Sequence, residues 1–158
     1  NENPLKFKPA MPAFFMLEFE IGFWGLFVTS FLAATIIPIT SEALLIAMLY
    51  MGYDPFTSLA CATTGNTFGG WLNYFIGRIG NPYWLKVFGA TLEKIEKWKT
   101  RVNRFGSWMA LLSWLPFIGD LLGIALGFFR ARILPTFLFI FLGKFLRYII
   151  IVLLYKYL

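Results

Sequence analysis

Histidine is absent, cysteine occurs once, at Cys61, and charged residues make up only 14% of the 158. Without imidazole there is no histidine base or ligand, and a single thiol builds neither an internal disulfide nor a cysteine-rich metal site. No glycine-rich phosphate loop and no nucleophile–base pair is visible, so neither enzyme chemistry, a metal nor a cofactor is expected. Low-complexity and Ser/Gly-rich linker stretches are also missing, which leaves one domain. Residues 1–22 lack the basic-then-apolar order of a secretory signal, and no cleaved signal is expected.

What fills the chain is apolar: 59% hydrophobic, 20% aromatic, with a mean hydropathy of +0.70. A soluble domain of this size could not bury that much apolar surface, so the chain reads as an all-α integral membrane protein. Yet the apolar runs are interrupted. Residues 23–37 are apolar for 15 positions, whereas a straight span needs roughly 20. Pro38, Thr40, Ser41 and Glu42 follow, then a second short apolar run to Met51. Two half-length segments joined by a proline-containing polar tip predict a re-entrant hairpin over 23–54, tolerated only where protein or a water-filled cavity surrounds the tip. One long helix kinked at Pro38 is the alternative.

Residues 55–78 are long enough to span. Gly65 and Gly69 form a GxxxG pair, and with Gly77 they allow close helix packing. A homo-oligomer interface in lipid is the alternative use of that face. Asn66 and Asn73, seven apart on nearly one face, need internal partners. Over 79–105 the character changes: Leu92, Ile95, Trp98, Val102 and Phe105 form one apolar stripe on a charged helix, as in a surface-lying amphipathic segment. From Arg78 to Arg104 seven basic residues stand against two acids. That excess places the segment on the cytoplasmic side, and on so apolar a chain anionic lipid headgroups, not nucleic acid, are its expected partners. Residues 1–22, with Phe14, Phe15 and Phe19 beside Glu18 and Glu20, are expected to lie at the interface.

The second half repeats the first. A shift of 78 positions, without a gap, brings Pro38 onto Pro116, Glu42 onto Asp120, Leu44 onto Leu122, Ala47 onto Ala125 and Gly65 onto Gly143. The second hairpin then covers 106–130, with Pro116 and Gly119 at its tip as Pro38 and Ser41 are at the first, and a final span covers 131–158. With Arg78 and Arg104 cytoplasmic, the first hairpin opens outward beside Glu18, Glu20 and Asp54, and the second inward beside Arg104, Arg130 and Arg132. The copies are thus expected to be inverted, the architecture of secondary transporters, with Glu42 and Asp120 meeting near the midplane. A carboxylate in hydrocarbon costs about 2.5–3.5 kcal/mol on insertion scales, so it persists where it is paired, protonated or useful. Capping of the second half-helix, or pairing with Lys144 and Arg147, three apart on one face of the last span, is the structural alternative.

"FLAATIIPITSEALLIAML", "GNTFGGWLNYFIGRIG", "LLSWLPFIGDLLGIALG" and "FLGKFLRY", in that order, resemble the DedA family of membrane proteins, the SNARE-associated or VTT-domain superfamily, and most closely its small YqaA-like branch. The resemblance covers roughly residues 25–150. It implies paired re-entrant hairpins with tip acids and movement of lipids, such as undecaprenyl phosphate or phosphatidylethanolamine, between leaflets of the inner membrane, with proton coupling. It carries over Glu42 as the first-hairpin acid and Gly65, Gly69, Tyr74, Gly77 and Arg78 as the first-span motif. The second hairpin departs: typical members have two arginines around the tip proline, and this chain has Ser113 and Gly119, with Asp120 beside the latter. The expectation is a multi-pass lipid flippase in which Glu42 and Asp120 handle protons and Arg78, Lys144 or Arg147 meets a lipid phosphate. A proton-coupled small-ion or solute carrier and a non-transporting envelope-homeostasis protein are the alternatives.

Overall fold

The computed structural model describes residues 13–35, 41–80, 91–116 and 118–157. Pro38, the rest of the first tip over 36–40, residues 1–12 and residues 81–90 of the basic segment lie outside them. Among the described residues every regular element is helical. The elements are α1 (Ala13–Thr35), α2 (Ser41–Tyr50), α3 (Pro55–Ile79), α4 (Leu92–Phe105), a 3₁₀ helix (Gly106–Trp114), α5 (Ile118–Phe128) and α6 (Ile133–Tyr157).

Two details differ from the sequence reading. Residues 13–22, expected as a separate interfacial piece, run into the first arm as one 23-residue helix, because nothing between Ala13 and Thr35 breaks helical hydrogen bonding. The first arm of the second half is wound as a 3₁₀ helix of nine residues. At about 2.0 Å per residue it reaches roughly 18 Å, where an α-helix of that length would reach roughly 14 Å.

The 78-residue offset recurs in the backbone. α3 starts at Pro55 and α6 at Ile133, and both are 25 residues long. α2 ends with Gly52 N donating to the Leu49 carbonyl and Tyr53 N to that of Met48. α5 ends with Arg130 N donating to Gly127 and Ala131 N to Leu126, the same C-terminal motif 78 positions later. Each next helix begins the same way, Ser58 N donating to the Asp54 carbonyl and Thr136 N to that of Arg132. Asp54 also caps α3 through its side chain, accepting from the hydroxyl and the N–H of Thr57, both at 2.7 Å. Those two bonds hold its carboxyl below the usual carboxylate range.

α3 is packed between α1 and α5 by glycines. Gly65 lies over the Phe27 carbonyl and Gly69 over that of Phe31 and the Ala34 methyl, so the GxxxG face is occupied by the first arm. Gly77 lies on the Ile124 carbonyl and Gly127 on that of Tyr74. Gly143 receives the 3₁₀ helix, against Ser113 Oγ and the Leu111 carbonyl. Asn66 Nδ2 donates to the Ser30 carbonyl at 2.9 Å and Asn73 Nδ2 to that of Ala34 at 2.7 Å. The second bond has a covalent reason: Ala34 would be bonded by the N–H four residues on, and that residue is Pro38, which has none.

α6 is polar inside and apolar outside. Thr136, Ile140, Gly143, Lys144 and Tyr148 are buried, while Leu134, Leu138, Leu142, Leu146, Ile150 and Leu154 form an exposed stripe at four-residue steps. Water would penalise that arrangement and lipid rewards it. By length and composition α6 is the one described helix able to cross a membrane; Gly22–Thr35, α2 and α5 are short apolar helices. The packing predicts opposite signs for two glycines. Gly77→Ala drives a methyl into the Ile124 backbone and destabilises by about 1–3 kcal/mol. Gly25→Ala, with open space around it, stabilises by about 0.5–1 kcal/mol. Thermal unfolding in detergent measures both, and equal shifts would contradict the packing.

Candidate functional site

Glu42 and Asp120 sit in the first turns of α2 and α5, where unbonded N–H groups and the helix dipole favour a carboxylate. That alone does not compensate a charge away from water, and each acid has a cation as well. Lys144 Nζ donates to Asp120 Oδ1 at 2.6 Å, and Arg147 forms an ion pair with Glu42 through Nη2 and Oε1. Both cations come from α6, three residues apart and hence on one face. The two short helices are therefore pinned by one turn of one helix.

The cations differ in burial and the carboxylates do not. The Lys144 side chain is 1% exposed and Asp120 22%, whereas Arg147 is 17% and Glu42 21%. Beside them Ser41 Oγ and Tyr148 OH share a buried hydrogen bond of 2.6 Å. Ser113 Oγ donates to the Ile140 carbonyl at 3.1 Å, closing the 3₁₀ helix on α6. Gly119 is pressed against the Ser113 backbone. On α3, Ser58 Oγ, Thr63 Oγ1, Thr67 Oγ1, Asn66 Oδ1 and Asn73 Oδ1 are buried with no hydrogen-bond partner among the described residues.

Of the residues expected at the site, Ser41, Glu42, Gly119, Asp120, Lys144 and Arg147 come together, with Pro116 just before α5. The two carboxylates share no hydrogen bond; each faces its own cation. Arg78 lies elsewhere. Its Nη1 donates to Tyr74 OH at 2.8 Å, and Tyr74 OH donates to the Ala131 carbonyl at 2.5 Å. That places Arg78 beside the start of α6, and Lys144 is eleven residues further along, about 16 Å of helix. Sequence reasoning missed Tyr148, although its position four residues after Lys144 puts it on the same helical face. Among the described residues no group of three or more His, Cys, Asp or Glu could hold a metal.

The VTT-domain family model matches residues 37–157. The chain is 38% identical over 130 residues to the inner membrane protein YqaA of Escherichia coli K12, covering 82% of this chain and 87% of that protein. The protein of the same name from Shigella flexneri gives the same figures. An uncharacterized protein of Haemophilus influenzae is 33% identical over 145 residues, covering 83% of this chain and 89% of its own. No solved structure matches significantly.

The unequal burial predicts unequal losses. Asp120→Asn strands a fully buried ammonium and destabilises by about 3–5 kcal/mol. Lys144→Met leaves a partly exposed carboxylate and costs less, about 1–3 kcal/mol. The double variant recovers part of the sum. Unfolding in detergent measures all three; a larger loss for Lys144→Met would make the carboxylate the stranded charge.

Proposed function

Because this chain belongs to the VTT-domain, or DedA, family, we propose that it is a multi-pass inner-membrane transporter that moves a phosphate-bearing lipid between leaflets, coupled to protons. The observation that supports this reading is the two ion pairs on one helix face, one with a fully buried cation and the other with a partly exposed one. The recurrence of α2–α3 as α5–α6 at 78 residues supports two inverted copies, each a re-entrant hairpin followed by a span, with the pairs at their interface.

The pair with the partly exposed cation, Glu42–Arg147, is the exchangeable one. Arg147 has a planar fork that binds a carboxylate or a phosphate bidentately, which an ammonium does not match. Protonating Glu42 leaves Arg147 without a counter-charge, and a lone charge within the bilayer costs about 2.5–3.5 kcal/mol on insertion scales. A lipid phosphate removes that cost, and release of the proton expels the phosphate again. Proton and headgroup are coupled by charge balance, with no further residue required. The Lys144–Asp120 pair holds α5 on α6 throughout.

Liposomes carrying labelled phospholipid in one leaflet test the reading. Arg147→Lys keeps the charge and loses the fork, and transport is expected to fall at least about tenfold. Glu42→Gln is expected to abolish the response to an imposed pH gradient, since the amide has no titratable proton. Arg147→Lys moving lipid at the parental rate overturns the phosphate role. Proton flux without lipid movement favours a small-ion or solute carrier, and neither activity favours a non-transporting homeostasis protein.

A further inference from the structure

Arg130 is the one non-glycine among the described residues with positive φ, at 54°. It occupies the position after α5 where the chain turns left-handed to close the helix end, which glycine fills without strain. Its counterpart 78 positions earlier is Gly52, with φ 87° and the same two hydrogen bonds. One copy uses glycine and the other tolerates a strained arginine. Topology alone does not explain this, because a positive charge at either neighbouring position would bias orientation equally well. The strain points to a use for the side chain at this spot.

The surroundings indicate which use. Arg130, Arg132 and Arg78 edge an open cavity of about 500 Å³ whose remaining lining is Ala131, Ile133, Leu134 and Pro135. A second cavity of about 430 Å³ shares Arg130, Ala131, Arg132 and Pro135 and continues toward the 3₁₀ helix. All three arginines are exposed, and neither Arg130 nor Arg132 has an ion pair among the described residues. A cationic edge over an apolar floor is complementary to a phosphate diester attached to acyl chains, whereas a free anion has no use for the floor.

We infer that Arg78, Arg130 and Arg132 form a docking site for the headgroup of an anionic phospholipid at the start of α6, separate from the Glu42–Arg147 and Asp120–Lys144 cluster. The inference goes beyond transport: a chain that holds lipid here and moves none satisfies it.

The test uses the full chain in detergent offered equal amounts of phosphatidylglycerol and phosphatidylcholine, with bound lipid counted by native mass spectrometry. The parent is expected to prefer phosphatidylglycerol. Arg130→Gly is expected to weaken that preference about fivefold, while unfolding at the same temperature or up to about 4 °C higher, as strain relief offsets the added freedom of the unfolded chain. A combined Arg78→Gln, Arg132→Gln variant, which leaves the strained backbone alone, is expected to lose more. Arg130→Gly retaining the parental preference, or a parent with none, overturns the site. Displacement of phosphatidylglycerol by millimolar inorganic phosphate would make it a soluble-anion site and equally overturn the lipid assignment.

Discussion

Every charge removed from water must find its opposite within the protein, and here one turn of α6 supplies both opposites. α2 and α5 are 10 and 11 residues long, too short to cross hydrocarbon, and their first-turn acids would hold them at the surface if left alone. Lys144 and Arg147 convert those acids from a cost into an anchor. The rest of the packing serves that anchor. Gly70 leaves room for Ile140, one turn before Lys144, with the Ile140 Cγ2 2.9 Å from where a Cβ would be, and Gly143 lets the 3₁₀ helix reach α6 next to it. Tyr148 adds the Ser41 bond from the same face. Movement of α6 relative to the short helices therefore changes both pairs at once.

The 78-residue correspondence also explains the asymmetry. The α3 counterparts of Lys144 and Arg147 are Asn66 and Gly69. In α3 those positions pack against α1, Asn66 by bonding the Ser30 carbonyl and Gly69 by admitting the Phe31 backbone. Each of these two helices thus devotes the same face to α1 or to the short helices, one through close backbone contact and the other through charge. An arginine at 69 would collide with α1, and a glycine at 147 would leave Glu42 unpaired. The two solutions are not interchangeable, which gives α6 both pairs.

Much of this was legible in the residues. The apolar lengths located the two 25-residue helices, the proline–acid spacing located the starts of both short ones, and the GxxxG face did receive a helix. Three things were not legible, each for a physical reason. Which acid meets which cation depends on the rotation of α6, and residues three apart share a face without saying which neighbour each will reach. The continuity of α1 was hidden because Glu18 and Glu20 mark polarity, not a helix break. The strain at Arg130 was hidden because arginine is not a turn signal; only alignment with Gly52 could have raised the question. The partner of Asn73 was legible in principle, since Pro38 leaves the Ala34 carbonyl without its usual donor.

The departure from the expected family pattern around Pro116 has a structural basis as well. Where the resemblance leads one to expect arginines around the tip proline, Ser113 and Gly119 face each other, and a Cβ at 119 would stand 2.6 Å from the Ser113 carbonyl oxygen. That contact admits no side chain, let alone a guanidinium. Ser113 is small and bonds the Ile140 carbonyl, which seats the 3₁₀ helix against Gly143 and brings Asp120 to Lys144. An arginine at either position would both open this contact and compete with Lys144 for the carboxylate. Positive charge near Asp120 is therefore supplied from α6, and the small residues at 113 and 119 are what allow it to arrive there.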